Sequence, residues 1–159
     1  MTIKSTARMI VAISLMHVSL ACAAQRPFSV MPEKAAKQIT EDLCSRGGVA
    51  GVDGGWRPSA EIVDRIERDL KQISKLTSKE GMIGVRIRHP ESYFRQYFGI
   101  TVAGRRLIYI NAFAEEDGNP SSSWQDRLVS ICDGGFSSWG VLYDPAEGTF
   151  SDLRTNGIG

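Results

Sequence analysis

Apolar residues recur at helical spacing in one long stretch of the chain. Ile62, Ile66, Leu70 and Ile73, joined by Val63, make a single stripe, and Asp64, Glu67, Arg68 and Lys71 fill the other face. Ser59 stands where an N-cap belongs, with Glu61 in the first turn and Lys75 in the last, the signs that suit the helix dipole. The pattern predicts a helix from Ser59 to about Lys75 with a solvated charged face. A shorter helix is expected after Pro32, where Ala35, Ile39 and Leu43 share one face, ending near Cys44. Gln25 to Met31 reads as a loose arm. Arg46 to Gly55 carries Gly47, Gly48, Gly51, Gly54 and Gly55 and reads as a flexible connector rather than regular structure. Its glycine spacing matches neither phosphate-binding pattern.

From Tyr93 onward the period changes from helix-like to strand-like. Tyr93–Val102 is expected as a first strand with Phe94, Phe98, Ile100 and Val102 on one face, turning at Ala103-Gly104 into Arg106–Phe113. Leu128–Cys132 reads as a third strand, Trp139–Tyr143 as a fourth and Thr149–Leu153 as a fifth on an edge. Glu115 to Ser123 is polar and turn-rich, hence a loop. The predicted class is α+β: the N-terminal helix or helices packed on one face of a four- to five-stranded antiparallel meander sheet. Residues 24–55 would form an arm, a short helix and the glycine-rich loop, and residues 56–159 the helix-plus-sheet domain.

The first residues change the picture from fold to place. Lys4 and Arg8 precede an apolar run from Met9 to Val18, followed by small residues at Ser19, Ala21, Ala23 and Ala24. That order is a secretory signal peptide over residues 1–23, too short to span a bilayer as an ordinary helix. The Ala21-Cys22-Ala23 pattern places the cut after Ala23, with Ala24 as the near alternative. Lipidation of Cys22 is a third outcome, disfavoured because Ser19 rather than an aliphatic residue lies three positions before it. The expected location is periplasmic or extracellular. Removing 23 residues from 159 leaves 136, and loss of Lys4 and Arg8 takes 19 basic residues to 17 against 18 acidic ones. A formal charge of −1 offers no basic stripe for nucleic acid, and nothing after the signal reads as a membrane span. Cys44 and Cys132 remain, and outside the cytoplasm a disulfide between them is the default. Two separate thiols, one of them a nucleophile, is the competing reading.

Several segments form an ordered set: Trp56-Arg57-Pro58-Ser59, Tyr93-Phe94-Arg95-Gln96-Tyr97-Phe98-Gly99 and Ile108-Tyr109-Ile110-Asn111. They are followed by Cys132-Asp133-Gly134-Gly135, Trp139-Gly140-Val141, Tyr143-Asp144 and Asn156-Gly157. Over about Trp56 to Gly157 the chain resembles a group of small, uncharacterised secreted bacterial proteins. The resemblance implies a fold and a location and no activity.

Candidate chemistry is sparse. His89, before Pro90, is the only histidine beyond the signal, so no zinc site and no cofactor are expected. Asp133, Asp144 and Asp152 lie at turns, which favour aspartate beside glycine or proline. Asp133 and Asp144 are the pair an envelope hydrolase would use. Glu115, Glu116, Asp117 and Asn119 lack the spacing of a calcium loop. Ser137 and Ser138 lack a nucleophile elbow. The stronger candidates are Arg95, Gln96, Tyr109, Asn111 and Trp139. A sheet covered on one face by a helix can leave the other open, and Arg, Tyr and Trp dominate binding surfaces. The expected function is therefore an exported binding protein of inhibitor, immunity or adaptor type. Its partner is an unknown protein, and Arg95, Tyr109, Asn111 and Trp139 are its contact residues. A hydrolase, or a lipid-anchored envelope component, is the alternative.

Overall fold

A computed structural model of the chain describes residues 27–40, 43–114 and 123–159. The segment expected to be a signal peptide, with Cys22, and the acidic stretch holding Glu115, Glu116, Asp117 and Asn119, lie outside the described residues. Among those described, the fold is mixed α+β around one sheet. Its strands are β1 (Phe28–Val30), β2 (Val52–Trp56), β3 (Phe94–Val102), β4 (Arg105–Phe113), β5 (Ser138–Asp144) and β6 (Thr149–Thr155). One α-helix, α1 (Ala60–Asp69), tightens into a 3-10 turn over Leu70–Lys75.

The meander β3–β4–β5–β6 is antiparallel, as its alternation predicts, and β6 lies on an edge. On the other side of β3 the sheet departs from expectation. Two short strands sit end to end along that edge. β1 runs parallel to β3, with Phe28 opposite Arg95 and Val30 opposite Tyr97, and β2 runs antiparallel, with Trp56 opposite Gly99. The sheet is therefore mixed, and the arm and the glycine-rich stretch both contribute strands to it. Gly55 of β2 and Gly99 of β3 serve close approach rather than flexibility. A side chain at Gly55 would strike the carbonyl of Glu33, and one at Gly99 would strike the carbonyl of Trp56. The short helical segment after Pro32 is 3-10 in character, Glu33–Ile39, and packs against β2 across that glycine surface.

Leu128–Cys132 is not a strand. Leu128 packs against the core while Val129 and Ile131 are half-buried, and the backbone of the segment is held by side chains instead of by a ladder. The expectation of an open sheet face fails with it, because both faces are covered. On one side Val63, Ile66, Leu70 and Ile73 share a buried cluster with Tyr97, Ile108, Ile110, Trp139, Val141 and Tyr143. On the other, Met31, Ala35, Ile39, Leu43 and Val49 pack with Phe98, Ile100 and Tyr109. Trp124 extends that second cover, its ring edge-on to Phe94 at 5.4 Å and to Phe113 at 6.0 Å. The segment before Trp56 thus supplies core to the same sheet and is no appendage.

Cys44 and Cys132 meet in disulfide geometry, with Cα atoms 5.1 Å apart across a sequence separation of 88. Among the described residues no helix is long and apolar enough to cross a membrane.

Candidate functional site

Strand register divides the four predicted contact residues between the two faces. Arg95 pairs with Ala112, which pairs with Trp139, so both project toward α1. Tyr109 lies opposite Phe98, and Asn111 opposite Gln96, on the other face. All four are buried, none more than 3% exposed. Arg95 and Trp139 therefore do not meet Tyr109 and Asn111, and none of the four presents a surface.

What they build instead are two buried polar assemblies. On the face away from α1 the hub is Arg46, a residue of the glycine-rich stretch that is 3% exposed. Its Nε donates to Tyr109 Oη at 3.1 Å and one Nη to Ser138 Oγ at 3.0 Å. It also donates to Asn156 Oδ1 and Asn111 Oδ1. Asn111 Nδ2 then donates to Gln96 Oε1 and to the Val129 carbonyl, both at 2.9 Å. Gln96 Nε2 donates to the carbonyls of Trp124 and Arg127 at 2.6 Å, and its Oε1 accepts from the Val129 N–H at 3.0 Å. Asn156 Nδ2 donates to the Ile131 carbonyl. Side-chain amides thus do for residues 124–131 what a neighbouring strand would do. Gln96, Tyr109, Asn111, Ser138 and Asn156 together hold this cover in place.

On the α1 face Arg95 forms a two-pronged ion pair with Glu67, Nε to Oε1 at 3.1 Å and Nη2 to Oε2 at 2.9 Å. It also donates to the carbonyls of Glu91 and Tyr93. Glu67 belongs to the charged side of the helix, yet it points inward at this one position. Tyr97 Oη donates to the same carboxylate. Burial raises the Tyr97 phenol well above its ordinary value of 10.0, and the Glu67 charge adds to the rise. Stability from a neutral Tyr97 is complete below the unfolded value, near 10, and is lost as pH rises through the folded one. An alkaline titration followed at the tyrosinate band should therefore show Tyr97 ionising only as the domain unfolds, and Tyr97→Phe should flatten the loss of stability above pH about 10. Ionisation of Tyr97 with the fold intact would refute this. The Trp139 Nε1 on this face is buried without a hydrogen-bond partner.

The aspartates do not assemble into an acid–base pair. Asp133 lies before the turn that leads into β5 and Asp144 ends that strand, so the whole length of the strand separates them. Burial pushes the Asp144 carboxyl up. The N–H groups of Glu147 and Ala146 and the Arg105 guanidinium more than reverse that, leaving it below the usual carboxylate range. It caps its own turn, accepting from Ala146 N at 2.9 Å and Glu147 N at 3.2 Å. Asp152 faces Arg154 at 2.8 Å and Lys79 at 3.7 Å. Ser137 Oγ donates to the Gly134 carbonyl at 2.5 Å, and Ser138 serves Arg46. His89 is an exposed side chain 3.8 Å from Glu91. Among the described residues no group of histidines, cysteines and carboxylates could hold a metal ion.

The surface that remains is at one end of the molecule. The turn Gly135–Ser137 carries Phe136, which is 58% exposed. Met82 and Ile158 close over Gly135 beside it, and Ile158 and Ile83 are 73% and 77% exposed. These are the large hydrophobic side chains exposed among the described residues. Phe136 also lines a groove of about 830 Å³ with Val85, Ile87 and Tyr93. The Tyr93 hydroxyl holds the groove wall by donating to the Phe136 carbonyl at 3.2 Å. Sequence reasoning passed over Arg46 and Glu67 because it read their segments as connector and solvated face. It passed over Phe136 because one aromatic after a glycine pair shows no period.

Comparisons of the chain with protein-family models, with curated proteins and with solved structures found no match.

Proposed function

We propose that the chain is a small exported protein that works by binding another protein, as an inhibitor, immunity or adaptor protein does. The observation that carries this reading is the exposure of Phe136 and of Ile158, which packs beside Gly135 in the same turn, both side chains being more than half exposed. Contiguous exposed apolar surface on a monomer is the mark of an interface. The signal-like N-terminus and the Cys44–Cys132 pair support an oxidising, non-cytoplasmic compartment. In this reading Arg95, Tyr109, Asn111 and Trp139 build the scaffold, and the contact surface lies around Gly135–Ser137.

The test is affinity capture from the source cell's envelope and culture medium, with tagged protein spanning Ala24 to Gly159 in its oxidised form. The expected result is one protein recovered in near-equal amount and lost when Phe136→Ser replaces the wild type. Equal, background-level recovery by both forms would refute the reading.

A further inference from the structure

Ile87 is buried, and the residues on either side of it, Arg86 and Arg88, are exposed. Arg86 and Arg88 line a groove together with the apolar residues Val85, Ile87, Tyr93 and Phe136. No carboxylate lines this groove. Among the described residues neither Arg86 nor Arg88 has a carboxylate within ion-pair distance, whereas Arg95, Arg105 and Arg154 are paired. The volume, about 830 Å³, falls within the range of sites that enclose a ligand, about 300–1,000 Å³.

From this geometry we infer that the groove docks an acidic, extended segment of a partner protein, with one apolar side chain seated against Phe136. The inference rests on the binding-protein reading above and names the chemistry of its partner. Charge complementarity selects an acidic ligand: two unpaired cations beside apolar residues would repel a basic peptide and find no partners on a neutral one. A peptide fits better than a small anion because exposed apolar surface extends past Phe136 to Ile158, which packs beside Gly135 of the same turn. It fits better than an anionic bilayer because the groove is concave, and a flat lipid surface cannot enter it.

The C-terminal end of the edge strand β6 is occupied. The carbonyl of Leu153 and the N–H of Thr155 are already bonded to Lys79 and Glu80, so β6 is covered along that end.

The test is selection from a random-peptide display library against the oxidised protein, with binding of the winners measured to the wild type, to R86E/R88E and to Phe136→Ser. All three positions are exposed, and the thermal unfolding of each variant checks that its fold is kept. The expected winners combine Asp or Glu with an apolar residue. They lose at least about ten-fold in affinity to R86E/R88E, because two attractions become two repulsions. They also weaken as salt rises. Winners without acidic residues, or winners that bind R86E/R88E as well as wild type, would overturn the assignment. Recruitment to phosphatidylglycerol vesicles with no peptide selected would overturn it in favour of a membrane. In each of those cases a partner captured by the wild-type chain, as tested above, would still stand, so the two failures separate.

Discussion

Replacing Arg46 by methionine is expected to destabilise the oxidised protein by about 3–5 kcal/mol, a large share of a domain's total stability. The side chain is buried, and four oxygens converge on it: Tyr109 Oη and Asn111 Oδ1 from β4, Ser138 Oγ from β5 and Asn156 Oδ1 from just beyond β6. All four are neutral acceptors. The variant relieves the cost of burying a cation, yet leaves these acceptors without donors in a site that water cannot readily refill, at about 1–3 kcal/mol for each group left unmade. The second loss wins because it occurs several times over.

Arg46 also decides which way two amides point. With Asn111 Oδ1 and Asn156 Oδ1 turned toward the cation, their Nδ2 groups must face the Val129 and Ile131 carbonyls, and Gln96 orients in turn from Asn111. Arg46→Lys is the informative control. Lysine keeps the charge but presents its donors from one point, and it cannot span four acceptors. It should cost nearly as much as methionine. Chemical denaturation of both variants, with amide exchange at Val129 as the local readout, checks this. A lysine variant within about 1 kcal/mol of wild type would show that charge rather than the fork geometry matters.

The same network shows why part of this fold is legible in the sequence and part is not. β3, β4 and β5 are legible as β-rich apolar runs bounded by turn signals, with both faces buried, and α1 follows its hydrophobic period because one stripe is committed to a core. Leu128, Val129 and Ile131 show a strand's alternation too, but alternation reports which side chains turn inward. It does not report whether the backbone finds a ladder or the amides of Gln96, Asn111 and Asn156. β1 and β2 are too short for a period to show. Of the glycines that mark β2 as a connector, Gly55 lets it approach Glu33 closely, and Gly99 lets β3 approach Trp56. The supposed contact face failed for a related reason. Parity within one strand separates Arg95 from Phe94 and Phe98, but only the register of β3 against β4, with Phe98 opposite Tyr109, places Tyr109 and Asn111 away from Arg95. Glu67 is hidden in the same way. Its helix position is polar, and only the approach of Arg95 turns it into a partly buried partner.

Reduction of the Cys44–Cys132 bridge is the second large effect. The loop it closes spans 88 residues, for which chain entropy alone gives about 4–5 kcal/mol. Cys44 sits at a backbone φ of 67°, a conformation that non-glycine residues avoid, and release of that strain will return part of the loss.

The bridge does not act independently of Arg46. Cys44 and Arg46 lie in one tight turn, closed by the Leu43 N–H on the Arg46 carbonyl at 2.9 Å. Cys132 follows Ile131, whose carbonyl Asn156 holds, and the Asp133 N–H donates to Ser45 Oγ at 3.0 Å. The covalent link and the buried cation therefore pin the same turn to the same cover. Once either is gone, that region has partly come loose, and the other has less left to hold. The effects of Arg46→Met and of reduction should thus sum to more than their combination costs, by about 1 kcal/mol or more. Denaturation of wild type and Arg46→Met, each with and without reductant, measures the four corners of that cycle. Additivity to within about 0.5 kcal/mol would mean that the turn at Cys44 and the Arg46 hub are separate devices.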